Sequence, residues 1–231
     1  MKTNFPHSGW LVVNKPQGVE SFGVVRKLKF LYQFNKIGFA GTLDPLASGL
    51  LLIALNKATK LIPQIHSASK IYEVQIRLGA TTPTLDAEGR YSSMQDISSD
   101  PLNYRNNLRQ FIGTYQQRIP NFSAHKLSGK NFYELARNNQ AIEERFKSVA
   151  LHSIKILSMT PSTIHLQLEC QTGFYVRAFA AELASSLGEL GYAEMIKRLK
   201  IGSFSIEQSV NFEKILAFSS IHDLHSHLIT I

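Results

Sequence analysis

The sequence predicts an α+β (mixed α/β) domain, and three observations carry that expectation. Two segments, Ile71–Leu78 and Thr163–Cys170, alternate apolar and polar residues at the two-residue period of a half-buried strand. Two others, beginning at Ser21 and after "QTG" (Gln171 to Gly173), repeat their apolar residues at the helical period. No fixed-period repeat, heptad or low-complexity tract is present, and strands separated by helices and long connections define a mixed class.

In chain order, Gly9 to Asn14 reads as a short buried strand closed by the turn residues "KPQG". Ser21 is suited to cap the following helix, which turns Val25, Leu28, Leu31 and Tyr32 inward and Arg26, Lys27 and Lys29 to water. Leu50 to Leu55 is an unbroken apolar run, the pattern of a strand buried on both sides. In the next strand Tyr72, Val74, Ile76 and Leu78 share one face, and Ile71, Glu73, Gln75 and Arg77 the other. Residues 81–103 form a connection, and a helix is expected over Pro101 to Ile112. Ile164, Leu166, Leu168 and Cys170 then face inward. The last helix buries Val176, Phe179, Ala180, Leu183 and Leu187 and stops at Gly188.

Composition narrows the partners. A chain of 231 residues with 44% hydrophobic content suits one sizeable domain, or a domain with an elaborated arm. Its 25 Lys and Arg against 17 Asp and Glu favour a polyanion such as nucleic acid. No strongly basic amphipathic helix supports a membrane role. Cys170 is the only cysteine, which excludes an internal disulfide and a cysteine-based zinc cluster. His222, His225 and His227 read as a solvated tail rather than a metal site. The N-terminus lacks the apolar core of a signal peptide, and Leu50 to Leu55 is too short to span a bilayer. A cytoplasmic protein is expected.

Two stretches carry candidate chemistry. In "YQQRIPNFSAHKLSGKNFYELAR" (Tyr115 to Arg137), Arg118, Lys126, Lys130 and Arg137 interleave with Tyr115, Phe122, Phe132 and Tyr133. Cations neutralise phosphates and flat rings stack on unpaired bases. The same residues also suit an amphipathic helix from Asn131 to Arg137 that buries Phe132 and Leu135. In "AGTLDPLASGLLLIAL" (Ala40 to Leu55) a lone carboxylate, Asp44, sits in a turn ahead of the apolar run. Asp-Pro in a Gly-rich loop is also ordinary turn chemistry.

An ordered set of motifs goes further. "NKPQGVES" (Asn14 to Ser21), "GTLDPLASGLL" (Gly41 to Leu51), "KIYEVQIRLG" (Lys70 to Gly79) and "TPTLDAEG" (Thr82 to Gly89) follow one another, then "PNFSAHKLSGKNFYELAR", "CQTGFYVRAFAAELASSLG" and "IKRLKIGSF". Together they resemble the TruB family of tRNA pseudouridine synthases over nearly the whole chain. "GTLDP" in place of the "RLD" pattern of ribosomal-RNA synthases points to the same branch.

The resemblance implies a pseudouridine synthase fold, a mixed and largely antiparallel sheet flanked by helices. It implies isomerisation of the uridine at position 55 of the tRNA T-loop, in a flipped-out base, with no cofactor and no metal. Asp44 matches the catalytic aspartate, acting as nucleophile or general base. Arg177 matches the arginine that pairs with it and would hold its orientation through paired hydrogen bonds. Tyr72 matches the tyrosine that stacks on the uracil. Lys126, Lys197 and Arg198 are candidate phosphate contacts, and Ile196 stands where the family commonly places a leucine against the base.

The chain also departs from the pattern. Phe39 replaces a histidine associated with RNA binding and base flipping, and could wedge into the vacated stack. Glu20 replaces a threonine. The stretch after Ser203 is shorter than the roughly 50 residues of a minimal domain, so no separate C-terminal RNA-binding domain is expected. The expectation is one catalytic domain over 1–231, monomeric, with an RNA-contacting arm around 115–150, tRNA as partner and no obligatory protein partner. Two alternatives stay open, a non-catalytic RNA-binding or RNA-folding factor on this scaffold and a synthase for another RNA.

Overall fold

The computed structural model describes residues 5–98, 101–123, 126–127, 130–132 and 143–231. From the N-terminus the chain runs through β1 (Gly9–Lys15), α1 (Ser21–Tyr32), β2 (Ile37–Ala40), β3 (Ser48–Leu55) and α2 (Ile62–His66). Next come β4 (Lys70–Leu78), β5 (Ala80–Thr81), β6 (Ser93–Met94), α3 (Pro101–Leu108) and β7 (Gly113–Arg118). Short strands β8 (Lys126–Leu127) and β9 (Lys130–Asn131) precede the long hairpin of β10 (Phe146–Met159) and β11 (Thr163–Cys170). The order ends with α4 (Val176–Ser186), β12 (Gly191–Ile201), β13 (Phe204–Ser205) and β14 (Val210–Asn211). α5 (Phe212–Leu216), α6 (Ile221–His225) and β15 (Leu228–Thr230) follow. Strand pairing is mixed and largely antiparallel, and the expected α+β class holds. The chain divides into two compact units, Met1–Tyr72 with Lys197–Ile231, and Glu73–Ile196.

In the first unit β3 is the centre. It runs antiparallel to β1, with Leu51 opposite Val13, and to β2, with Ile53 opposite Phe39. Its start runs parallel to the end of β12, with Ser48 opposite Lys197 and Gly49 opposite Arg198. Trp10, Val12, Leu50, Leu52 and Ala54 form one buried cluster with Ile201 and Phe204. The alternate residues Leu11, Val13, Leu51, Ile53 and Leu55 are equally buried. The apolar run therefore fills both faces of the strand, at about 1.5–3 kcal/mol for each large side chain.

Two local expectations in this unit are corrected. Ser21 does not cap α1, since Glu20 occupies the cap position without a side-chain bond. The inward face of α1 is Ser21, Val24, Val25, Leu28 and Tyr32, while Leu31 is exposed. The histidine tail is ordered, and His222 and His225 stay exposed as the solvated reading expects. β15 pairs with β1, the rings of His225 and His7 lie 4.0 Å apart, and His227 stacks on Phe218.

In the second unit the strand order is β12-β4-β11-β10-β7. β11 alternates as its sequence indicates, with Ile164, Leu166, Leu168 and Cys170 buried. Its partner β10 carries register shifts after Leu151 and after Ile156, which move its side chains between faces and erase the two-residue period. α4 buries Arg177, Ala178 and Ala184 besides the expected Val176, Phe179, Ala180 and Leu183. Phe179 meets Phe111 edge-on at 5.3 Å and Phe174 at 5.8 Å. α3 ends at Leu108 and a 3-10 turn carries the chain through Phe111. The helix expected from Asn131 to Arg137 falls mostly outside the described residues.

Gly49 marks a tight approach between β3 and β12. Its φ of +95° is strained for any side chain, and an added Cβ would collide with the carbonyl oxygen of Arg198. Gly49→Ala should lower stability by at least about 2 kcal/mol in urea denaturation. An unchanged midpoint would show that β3 and β12 separate there at little cost.

Candidate active site

The turn of residues 41–47, which carries Asp44, joins β2 to β3. Every carbonyl from Gly41 to Pro45 receives a hydrogen bond. The guanidinium of Arg198 donates to Gly41 O at 2.8 Å and Thr42 O at 3.5 Å, and from Nε to Leu50 O at 2.8 Å. One planar group thereby ties the entry of the turn to the first turns of β3. The hydroxyl of Ser21 donates to Leu43 O and accepts from Leu43 N–H, both at 2.8 Å. Asp44 O accepts from Ala47 N–H at 3.1 Å, and Pro45 O from Gly18 N–H at 2.8 Å. The ammonium of Lys15 donates to Pro45 O at 3.3 Å and to Pro16 O and Val19 O at 2.9 and 2.6 Å.

The three side chains that hold the turn are buried, at 0% exposure for Lys15, 2% for Ser21 and 1% for Arg198. Gly41 adopts φ +73°, and an added Cβ would lie 3.2 Å from the Arg198 guanidinium. The glycine lets that group reach the backbone. Leu43, Leu46 and Ala47 are buried, whereas Asp44 is half-buried. The outcome is a carboxylate-bearing turn fixed from β1, α1 and β12 at once, the preorganisation that charge-based catalysis needs.

Arg198 departs from its expected role as a phosphate contact. It is 1% exposed, and each of its three guanidinium nitrogens donates to an interior carbonyl. Lys197, its neighbour on β12, is half-buried and opposite Ser48. Phe39 on β2 and Tyr72 on β4 are half-buried, and Ile196 is buried. Lys126 lies on β8, and its side chain falls outside the described residues. Asp44 and Tyr72 belong to the first unit and Arg177 to the second.

Within the second unit Arg177 is buried in the first turn of α4. It donates to Thr84 O at 3.1 Å and to Phe122 O. Three of the sequence motifs therefore meet at one guanidinium: the 82–89 loop, the "PNFSA" stretch and the "GFYVR" turn. Gln117, fully buried, reinforces the junction from β7. Its amide donates to Tyr175 O at 3.1 Å and accepts from Tyr175 N–H at 2.8 Å. Glu182 accepts from Arg118 N–H and from the Tyr115 hydroxyl, and burial raises its carboxyl above the usual range. Lys147 donates to Gly173 O and lies 3.9 Å over the Tyr175 ring. Burial pulls its ammonium down to about 8.

Lys15, Gln117 and Lys147 escape a reading of the sequence. A signal exists only for Lys15, a lysine that ends a buried strand directly before Pro-x-Gly. Among the described residues no group of three or more His, Cys, Asp or Glu is placed to hold a metal ion, and no helix is long and apolar enough to cross a membrane.

The family profile described as TruB family pseudouridylate synthase (N terminal domain) matches residues 29–176. A tRNA pseudouridine synthase B of Ruegeria pomeroyi is 37% identical over 222 residues, covering 96% of this chain and 73% of the relative. One from Rhizobium etli is 38% identical over 224 residues, covering 96% and 72%. Among solved structures, an H/ACA RNP bound to a substrate RNA containing 2′-deoxyuridine gives a TM-score of 0.70 at 20% identity, covering 94% of this chain. This chain spans 55% of that one, and the likeness establishes the fold alone.

Two outcomes test the local physics. Ser21→Ala strands a buried N–H and C=O of Leu43, and denaturation should register a loss of about 1–3 kcal/mol; a loss below about 0.5 kcal/mol would mean the turn holds itself. For Lys147, a lowered pKa means the folded chain sheds its proton before the unfolded chain does. Stability therefore rises as pH climbs from about 8 towards lysine's ordinary value. Lys147→Met should remove that rise from a Tm-against-pH series, and an identical slope in the variant would assign it to other groups.

Proposed function

The chain belongs to the TruB family of pseudouridylate synthases, and from that membership we propose that it converts the T-loop uridine at position 55 of tRNA to pseudouridine. The observation that carries the reading is the Asp44 turn. Five successive carbonyls are fixed by buried donors, yet the aspartate itself keeps access to the surface.

In the proposed reaction the C1′–N1 bond of the uridine breaks, the uracil turns over, and a C1′–C5 bond forms. The C5 proton is lost and N1 gains one, so substrate and product are isomers and no external reagent is consumed. Asp44 acts as nucleophile or general base on the flipped nucleotide, whose extrusion costs a few kcal/mol. Arg177 pairs with Asp44 and fixes the carboxylate plane, a geometry that guanidinium forks favour. Tyr72 stacks on the uracil with Ile196 against the base, and its hydroxyl assists loss of the C5 proton. Phe39 fills the vacated stack, and Lys126 and Lys197 meet phosphates. The relatives' name supports tRNA as substrate. The chain works as one catalytic domain with an arm around 115–150, in the cytoplasm and as a monomer without an obligatory protein partner.

Incubation of the purified protein with an unmodified tRNA transcript, followed by pseudouridine mapping, tests this. The wild type should place a single pseudouridine in the T-loop, and Asp44→Asn should bind tRNA normally while forming none. Turnover by Asp44→Asn would remove Asp44 from its role. Binding without product in the wild type would make the protein an RNA-binding factor, and product only in ribosomal RNA would reassign the substrate.

A further inference from the structure

We propose that the outward face of α1 is a second RNA-binding surface, on which Phe22 and Phe30 stack unpaired bases while Arg26 and Lys29 neutralise the adjoining phosphates. The inference rests on the RNA substrate proposed above and adds a binding surface that none of the assigned site residues supplies.

The helical period sets the arrangement. Phe22, Arg26 and Phe30 recur every four residues and share one stripe, with Val25 and Lys29 beside it. Phe22 is 62% and Phe30 65% exposed, so neither ring contributes much to the core. Arg26 and Lys29 are exposed as well. Together with Ile37 from β2 these five side chains line a groove of about 370 Å³. An isolated exposed phenylalanine is ordinary, but two on one stripe with a cation between them mark a binding face.

Charge selects the occupant. The twelve residues of α1 carry Arg26, Lys27 and Lys29 and no acid. An amphipathic protein helix would be matched by a continuous apolar stripe, whereas here each ring adjoins a cation. That alternation suits single-stranded RNA, whose every nucleotide offers a flat base and a phosphate. The rings are eight residues apart, or about 12 Å along the helix axis, which spans roughly three to four stacked nucleotides. Location agrees. Phe22 follows Ser21, whose hydroxyl grips Leu43 beside Asp44, and Ile37 opens the strand that leads into the same turn.

Tests on the full chain use Phe22→Ala/Phe30→Ala and Arg26→Ala/Lys29→Ala, with folding checked by circular dichroism and thermal midpoint. The aromatic double variant should raise tRNA Kd and KM at least about fivefold, the lower bound for losing one stacked base, and leave kcat within about twofold. The cation double variant should reduce the slope of log K against log salt by about 1.4, or about 0.7 for each single-strand phosphate. Wild-type values for Kd, KM and salt slope in both variants, beside an active wild type, would overturn this inference and leave the synthase reading standing. A wild type that neither binds nor modifies RNA would overturn both. Wild-type self-association that Phe22→Ala/Phe30→Ala abolishes, with RNA affinity unchanged, would make the face a protein contact and equally overturn the proposal.

Discussion

The buried guanidinium of Arg198 is the constraint on which the candidate site depends. A cation taken out of water costs several kcal/mol unless its donors are satisfied. Here they are satisfied by backbone carbonyls on both sides of Asp44, at Gly41 and Thr42 before it and at Leu50 after it. The planar fork of arginine can bridge those positions, and the point charge of lysine cannot. Two glycines with positive φ, Gly41 and Gly49, bring the backbone close enough. Lys15 adds a second buried cation beneath the far side of the turn, at Pro45. Two buried cations held on backbone carbonyls suit a turn that bears a carboxylate and, in the proposed reaction, receives a polyanion.

The second unit repeats the device with other residues. Arg177 is buried and donates to carbonyls of two loops, at Thr84 and Phe122. Gln117 and Lys147 hold the loop that leads into α4, at Tyr175 and Gly173. In both units a buried polar side chain is the pin and an irregular segment is what it fixes. Irregular backbone lacks a ladder partner, so its carbonyls need donors from elsewhere if they are to stay in place. Loops held in this way can present reactive groups with the precision of a strand.

Much of the fold was legible because its periods are undisturbed. The alternation of Thr163 to Cys170 and the apolar run of β3 lie where the sequence places them. β10 was not legible, because its register shifts break the period that a sequence displays. β12 was obscured by its buried Arg198, a charge at an inward position. For the site, Asp44 and Arg177 stood out through motifs, but the sequence misread their supports. Ser21 looks like a helix cap and instead grips Leu43, and Arg198 looks like a surface cation. A hydrogen bond between a side chain and a carbonyl far along the chain leaves no periodic trace, so these roles emerge only from coordinates.

The most direct measurement is the single-turnover rate of pseudouridine formation by Arg198→Lys at saturating tRNA, compared with wild type. The variant keeps the charge but loses the fork, so the turn should shift while RNA still binds. Affinity for tRNA should stay within about threefold of wild type and the rate should fall by about 10- to 100-fold, the scale of a misplacement near 1 Å. A folded variant with the wild-type rate would contradict this, because the Asp44 turn would then be positioned without its guanidinium.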